Sequence, residues 1–393
     1  MTSSQHQRPT AGSGRKLAVW GAMLSCLMVA AAIAASAMAT PRTATNTEAA
    51  GLQKDVDALV AAGAPGALLL VRNGNRTVRL TAGLGNVARK TPMRPGDHFK
   101  IASLTKSYTA TVVLQLVGEG KLSLDDNVEQ RLPGLVPNGR KITIRQLLNH
   151  TSGLFDYFEL PKFLKPYLSG NFGYYWAPRQ LVRMGVSHKP LFAPGTDYSY
   201  SNTNYVLAQL IVERVTGKSL GTELKRRIFQ PLHLRDTIYP TKPGLPSPYA
   251  RGYKLLGKPP ATDVTQLSPS MSPGSGAIVS TALDVADFYR ALLSGKLLKP
   301  QQMTAMKTVV SLRTGKTVVG SGPGDGLGIG RPPYACVGWS HGGEFPGYEA
   351  FAISSADGRR QTVLMMNQDR STAPKRAVAL FDKLVAKAFC AGA

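Results

Sequence analysis

The order of the predicted elements constrains the fold of this chain more than any other feature of its sequence. Residues 66–80 are predicted to form a β-hairpin, because two apolar runs flank Asn73-Gly74, a strong two-residue turn signal. Strands return near the C-terminus, at Tyr348 to Ser354 and at Gln361 to Met366, around a turn at Asp357-Gly358. Since helical patterns fill the middle, the simplest fold is an antiparallel sheet built from both ends of the chain.

Helices are predicted to cover this sheet and to form a second domain. Amphipathic or alanine-rich patterns predict terminal helices at Ala50 to Ala62 and at Pro374 to Phe389. We therefore predict an α+β fold, with residues 40–102 and 281–393 in a sheet domain, residues 103–280 in an inserted, mainly helical domain, and the active site between them. The predicted inner helices are Thr105 to Val117, Ile144 to Asn149, one between Pro178 and Met184, Thr203 to Val215, Leu220 to Ile228 and Leu283 to Leu293.

The first 39 residues have the pattern of a secretory signal peptide. Arg15-Lys16 precede an apolar run from Leu17 to Ala34, and Ala37-Met38-Ala39 has the A-x-A form of a cleavage site. We therefore predict a secreted protein that is cleaved after Ala39. If the segment is retained, its apolar length would make it a membrane anchor instead.

Two cysteines, Cys336 and Cys390, follow this segment. An even number of cysteines in an exported protein is typical of a disulfide, and two free thiols are the alternative.

The chain of 393 residues carries a formal net charge of +24, but its Lys and Arg residues are spread along the sequence. No nucleic-acid-binding motif accompanies them, so we expect no nucleic-acid partner and a monomer in solution. The basic residues indicate either a solvated surface or attraction to an anionic cell-wall polymer. The six histidines lack metal-ligand spacing, and no phosphate or dinucleotide loop is present, so no metal or other cofactor is expected.

One polar pattern stands at the start of a predicted helix. Ser103-Leu104-Thr105-Lys106 lies where an extended segment becomes the helix from Thr105 to Val117. Residues i and i+3 of a helix share a face, so the Lys106 amine can reach the Ser103 hydroxyl and take its proton. The serine N–H lies in the first turn, where unpaired amides favour negative charge. Taken alone, the pattern also fits an N-capping serine beside a solvated lysine.

Two other polar segments precede regular elements. Tyr198-Ser199-Tyr200-Ser201-Asn202 leads into the helix at Thr203, and offers a phenol to relay a proton and an amide to hold a carbonyl. His341-Gly342-Gly343 leads towards the strand at Tyr348, and its glycines allow a ligand to approach the backbone. Separately these segments also fit a helix cap and a turn with a surface histidine.

In this order the three segments resemble the S-x-x-K, Y-x-N and [KH]-x-G motifs of the superfamily of penicillin-binding proteins and class C β-lactamases. The resemblance extends to Asn149-His-Thr-Ser-Gly153, Pro194-Gly195 and Gly326-Leu-Gly-Ile-Gly330, and covers about Ala50 to Cys390. It is greatest to the secreted actinomycete D-alanyl-D-alanine carboxypeptidases, which share the histidine of the third motif. Their fold is the β-lactamase/transpeptidase fold, and they have a disulfide at positions that match Cys336 and Cys390.

The resemblance implies a role for each motif residue. Ser103 would be the nucleophile, Lys106 its base and Tyr200 the proton relay to the leaving group, while Asn202 would hold the acyl side chain. His341 would occupy the first position of the third motif. The oxyanion would lie between the backbone N–H groups of Ser103 and Glu344, beyond Gly342-Gly343.

The third motif departs from the family pattern at one position. The hydroxyl residues that bind a substrate carboxylate in the peptidases are absent, and Glu344 places a like charge nearby. The His-Gly-Gly form is common among the esterases and D-amino-acid peptidases of the family. No glutamate is placed by motif as a deacylating base, so rapid β-lactam hydrolysis is not expected.

The sequence therefore predicts a secreted, penicillin-binding serine hydrolase of the D-alanyl-D-alanine carboxypeptidase type. Its expected substrates are peptides that contain D-Ala, in the peptidoglycan of the cell wall. Attack by Ser103 on such a peptide would form an acyl-enzyme. The alternatives are an esterase or D-amino-acid peptidase on the same scaffold, or a non-catalytic relative that binds cell-wall polymer.

Overall fold

The apolar runs at the two ends of the chain pair with each other in the structure. The structure is a computed structural model, and it describes residues 46–256, 260–314 and 322–391. Its strands are β1 Gly66–Asn73, β2 Arg76–Asn86, β3 Thr91–Pro92, β4 Phe99–Lys100, β5 Tyr253–Lys254, β6 Thr262–Asp263, β7 Val279–Ser280, β8 Gly324–Asp325, β9 Gly330–Arg331, β10 Trp339–Phe345, β11 Tyr348–Ser354 and β12 Arg360–Met366. Within these ranges the main sheet is antiparallel, in the order β3-β2-β1-β12-β11-β10-β9-β8. The predicted hairpin, its turn at Gly74 and the α+β fold class are confirmed.

Helices lie on both sides of this sheet. They are α1 Asn46–Ala61, α2 Thr105–Gly118, α3 Val128–Arg131, α4 Ile144–Leu148, α5 Pro161–Leu168, α6 Pro178–Val186, α7 Asn202–Thr216, α8 Leu220–Leu224, α9 Ala282–Leu293, α10 Pro300–Lys307 and α11 Lys375–Cys390. Among the described residues, no helix combines the length and apolar character needed to cross a membrane.

Alternation along β1 divides the core into two layers. Leu68 and Leu70 pack into a large cluster with α2 and the other inner helices, whereas Ala67 and Leu69 pack against α1 and α11. Helix α2 is buried from Thr105 through Leu114, so it is a central helix with no solvent-exposed face over these residues. The Ser103–Lys106 motif at its start is therefore joined to a helix that is buried in the core.

The structure corrects two sequence predictions. The sequence predicts one short helix in residues 154–198, but they contain both α5 and α6, and α10 follows α9 where no helix is predicted. Both missed helices begin with a proline, which the first helical position accepts, but Pro166 inside α5 argues against a helix there, and the eight residues of α10 carry too few apolar side chains to show a helical period. The domain boundaries remain a prediction, and the predicted signal peptide lies outside the described residues.

A disulfide joins Cys336 to Cys390 across 54 residues of sequence. It ties the segment before β10 to the last residue of α11, as the resemblance implied.

Candidate active site

Ser103 lies in a short 3-10 turn, Ala102–Leu104, between β4 and α2. Ala102 has a φ of +49°, a left-handed conformation that residues with a Cβ rarely adopt. Such strained backbone is typical of functional sites. Lys106, one turn along, places its Nζ 2.9 Å from Ser103 Oγ. The i, i+3 geometry predicted from the sequence is therefore present.

Lys106 is fully buried, although it is a cationic residue type. Its Nζ lies 2.8 Å from Asn202 Oδ1 and 3.1 Å from the carbonyl oxygen of Ser275. Burial lowers the pKa of Lys106 to about 7, and the carboxylates of Asp156 and Asp325 oppose this shift. Near neutral pH the amine can therefore exist in its uncharged form and accept the proton of Ser103.

Tyr200 completes the group around the nucleophile. Its ring centroid lies 4.7 Å from Lys106 Nζ and 4.3 Å from the centroid of the His150 ring. Burial raises the pKa of Tyr200, opposed by a hydrogen bond with Ser103. The phenol therefore keeps its proton at neutral pH, as a donor to a leaving group must.

The third motif lies on β10, beside the turn that holds the nucleophile. A Cβ added to Gly343 would lie 2.4 Å from the Ile101 carbonyl oxygen and 3.0 Å from Ser103 N. Residue 343 must therefore be glycine for β10 to approach this closely. His341 Nδ1 donates to the Gly342 carbonyl at 2.5 Å, and burial lowers the pKa of His341 to about 4, so its ring is neutral.

The ladder between β10 and β11 orients the amide of Glu344. Phe345 pairs with Tyr348 across a two-residue turn, and along an antiparallel strand successive amides alternate in direction. Counted from this turn, the Glu344 N–H points away from β11 and towards the side of Ser103. The oxyanion role assigned to the Ser103 and Glu344 amides remains a prediction.

The Glu344 side chain does not fold back over the nucleophile. It is exposed, and its Oε1 accepts a hydrogen bond from Ser371 N at 3.0 Å. The carboxylate still lines the cleft, as do Lys254 and Arg370. Lys254 pairs with Asp369 at 2.6 Å, and Arg370 pairs with Glu349 at 3.0 Å and with Asp382 at 2.7 Å. Both cations are therefore neutralised by carboxylates.

A cleft with a volume of about 690 Å³ reaches the nucleophile Ser103. Ser103, Tyr200, Asn202 and His341 all line it, together with Gly342 and Gly343. The remaining wall is largely apolar and includes Phe158, Leu164, Leu312, Pro332, Pro333, Phe345 and Phe351. The structure thus brings the predicted motif residues together at one cavity, except that Lys106 does not line it and contacts Ser103 and Asn202, which do. In the described ranges, no group of three or more His, Cys, Asp or Glu side chains could hold a metal ion.

This arrangement can be compared with known proteins. The family model described as Beta-lactamase matches residues 52–387. The chain belongs to the beta-lactamase family. Because the matching members include amidases and penicillin-binding proteins that share this fold, the chain is a serine hydrolase.

Three members of the beta-lactamase family illustrate the range of similarity. A penicillin-binding protein of Bacillus subtilis is 27% identical over 332 residues, covering 80% of this chain and 70% of that relative. The crystal structure of a D-stereospecific amidohydrolase from Streptomyces sp. is similar with a TM-score of 0.78 and 36% identity, covering 88% of this chain and 99% of that chain. D-amino acid amidase from Ochrobactrum anthropi SV3, solved with L-phenylalanine, has a TM-score of 0.75 and 27% identity, covering 86% and 98%.

Sequence reasoning missed the residues that hold the second motif of this family member in place. They lie in the loop 149–156. The family resemblance includes residues 149–153 but assigns no role to them. His150 Nδ1 accepts from Ser201 N at 3.2 Å, and Ser152 Oγ donates to Asn204 Oδ1 at 2.6 Å. Asp156 Oδ2 accepts from the Asn202 amide at 2.8 Å. No local sequence pattern indicates Asp156, because its partner lies 46 residues away.

Proposed function

We propose that this serine hydrolase cleaves amides of D-amino acids, with an apolar side chain on the acyl part and a leaving group without a free carboxylate. The observation that carries the proposal is the charge of the cleft wall beyond the third motif. Glu344 presents a carboxylate there, while Lys254 and Arg370 are already paired with carboxylates. The third cation that lines the cleft, Arg331, lies over the Trp339 ring, so a substrate carboxylate beside Glu344 would meet like charge there.

The relatives support the D-configuration and the amide. The Streptomyces amidohydrolase and the Ochrobactrum amidase, whose names specify D-stereospecific or D-amino acid substrates, match nearly their whole length. The apolar wall of the cleft favours a bulky side chain such as that of phenylalanine, because burying it removes apolar surface from water.

In the proposed reaction Ser103 Oγ attacks the amide carbonyl and its proton passes to Lys106 Nζ. The oxyanion forms between the two backbone amides, which act as preorganised donors. Tyr200 transfers its proton to the leaving nitrogen and takes up in its place the proton held on Lys106, so that an amine or ammonia departs, the phenol and the amine are restored, and an acyl-serine ester remains. Water then hydrolyses this ester and regenerates the Ser103 hydroxyl.

Hydrolysis of D- and L-phenylalanine amide tests this proposal, with release of ammonia as the measurement. The D-amide should be hydrolysed at least 100-fold faster than the L-amide, and Ser103→Ala should show neither activity nor an acyl-enzyme mass. Equal rates on both enantiomers would contradict the stereochemical part. Failure of the folded wild type to acylate with any amide or ester would support a non-catalytic, polymer-binding relative.

The second candidate is the penicillin-binding carboxypeptidase predicted from the sequence, and the Bacillus relative favours it. It predicts release of D-Ala from an N-acylated peptide that ends in D-Ala-D-Ala, and covalent labelling by fluorescent penicillin. A higher kcat/KM on this peptide than on D-phenylalanine amide would decide for the carboxypeptidase.

We also propose that the chain acts outside the cell, on the basis of its N-terminal sequence pattern. Mass spectrometry of protein from the culture medium should find an N-terminus at Thr40. Recovery of the intact chain from the membrane fraction would favour the anchored alternative.

A further inference from the structure

The amide of Asn202 has a defined direction in the structure. Its Oδ1 lies 2.8 Å from Lys106 Nζ, and its Nδ2 donates to Asp156 Oδ2 at 2.8 Å. The two ends of an asparagine amide have nearly the same shape but opposite hydrogen-bonding character. The neighbour on the far side therefore decides which end faces Lys106, and that neighbour is Asp156.

Only an aspartate satisfies both contacts at position 156. Its Oδ1 accepts from Phe158 N at 3.0 Å, at the start of the 3-10 turn Tyr157–Glu159, while Oδ2 accepts from Asn202. An asparagine there has one accepting end, so it would either leave Phe158 N without an acceptor or turn its own NH₂ group towards Asn202. The second choice would reverse the Asn202 amide and point N–H groups at Lys106.

Asp156 is buried and is not among the described residues that line the cleft. A substrate in the cleft meets Asn202 and not the carboxylate behind it. Any influence of Asp156 on the reaction must therefore pass through Asn202, through its electrostatic field, or through Phe158, whose N–H donates to it and whose side chain lines the cleft.

We propose that Asp156 is a positioning residue, which fixes the Asn202 amide with its oxygen towards Lys106 and so holds the base against Ser103. The role applies to acylation at Ser103 by any substrate. It rests on the serine-hydrolase chemistry and not on the identity of the amide proposed above.

The electrostatic surroundings of Lys106 give this role a measurable signature. The Asp156 carboxylate raises the pKa of Lys106 against the effect of burial, so loss of its charge should lower that pKa. The limb of the pH profile that reports deprotonation of Lys106 should then move to lower pH. The other titratable groups that face Lys106 are the carboxyl group of Asp325, the imidazoles of His150 and His341, and the phenols of Tyr200 and Tyr205.

The experiment measures kcat/KM for p-nitrophenyl acetate between pH 5 and 10. For Asp156→Asn we expect the acid limb at lower pH and a plateau reduced roughly 10- to 100-fold, because a small displacement of a catalytic group has an effect of this size.

The double variant Asp156→Asn/Asn202→Asp exchanges the two side chains and so reverses the pair. The new amide at position 156 can accept from Phe158 N and donate to the new carboxylate at position 202, whose other oxygen faces Lys106. The plateau kcat/KM of the double variant should be at least fivefold higher than that of Asp156→Asn. Its acid limb should move above that of the wild type, because a carboxylate then lies directly beside the Lys106 amine.

Ser152→Ala is the matched control, because it removes another hydrogen bond between the same loop and α7 without touching Asn202. It should lower the unfolding temperature but leave the acid limb in place. An Asp156→Asn variant with an unchanged acid limb and a plateau within threefold of the wild type would overturn the proposal. So would a folded double variant no more active than the single one. A wild type that hydrolyses the ester but not D-phenylalanine amide would overturn only the proposed substrate.

Discussion

The double glycine of the third motif contains two positions that look alike in sequence and differ sharply in structure. A Cβ on Gly343 would lie 2.4 Å from the Ile101 carbonyl oxygen and 2.9 Å from Leu104 Cδ1. The first distance is about 1 Å short of ordinary van der Waals contact. A Cβ on Gly342 would meet only the Phe351 ring, at 3.4 Å. Gly343→Ala and Gly342→Ala are therefore a matched pair.

In Gly343→Ala the Ile101 carbonyl is part of the backbone that leads into the nucleophile's turn, so it has little freedom to move aside. Strand β10 must shift away from Ser103 by a few tenths of an ångström or more. The Glu344 amide would shift with it, and the loss of one oxyanion donor lowers the rate by about 10²- to 10³-fold, or about 3–4 kcal/mol in the activation free energy. Gly342→Ala should stay within about threefold of the wild type, since its Cβ meets an ordinary contact.

The assay compares kcat/KM of the two variants on one ester or amide, together with the rate of acyl-enzyme formation by mass spectrometry. Thermal unfolding shows whether each variant is folded. The reasoning would be refuted by a folded Gly343→Ala variant with wild-type acylation. Equal losses in the two variants would also refute it, because the steric difference would then have no catalytic consequence.

Three further predictions concern other parts of the molecule. Replacing Cys336 and Cys390 by serine opens a loop of 54 residues and should lower the free energy of unfolding by about 4 kcal/mol, measured by urea denaturation, with kcat unchanged. Arg227→Met removes the 2.5 Å partner of the buried Glu223 carboxylate but leaves Arg226 paired with it at 2.8 Å, so it should cost about 1.5 kcal/mol at pH 7, measured in the same way; a loss above about 3 kcal/mol would contradict it. Because the pKa of Lys106 is lowered to about 7, the amine gains a proton as the pH falls below that value and kcat/KM should fall roughly tenfold per pH unit; an acid limb centred near pH 10 would contradict this.

Short sequence signals predicted the parts of the fold that are determined by residues close together in the sequence. The turn at Asn73-Gly74 and the helices predicted at Ile144 to Asn149 and at Thr203 to Val215 each depend on signals within a few residues, and the structure contains all three. Helix α5 was not predicted because packing of Phe163 and Tyr167 stabilises it despite Pro166, and α10 was not predicted because its eight residues show no clear apolar period.

The site divides in the same way. Ser103 and Lys106 were predicted as a pair because one helical turn joins them, and their 2.9 Å contact follows from that spacing. The steric reason for Gly343 and the orientation of Asn202 by Asp156 depend on backbone brought together from distant segments. A single sequence holds no spacing or periodicity that reports such contacts.

The pairing of β1 with β12 has a consequence for how the protein reaches its active form. Ala67 on β1 pairs with Met366 on β12. The edge of β1 that faces away from β2 therefore has no partner strand until β12 has been synthesised. Closing a loop of this length costs entropy before any contact compensates for it, and high contact order slows folding. The strand that carries the third motif also joins the sheet only through β11 and β12. A chain truncated before β12 should therefore lack the strand that joins the N-terminal hairpin to β11 and β10, and with it the close approach of the third motif to Ser103.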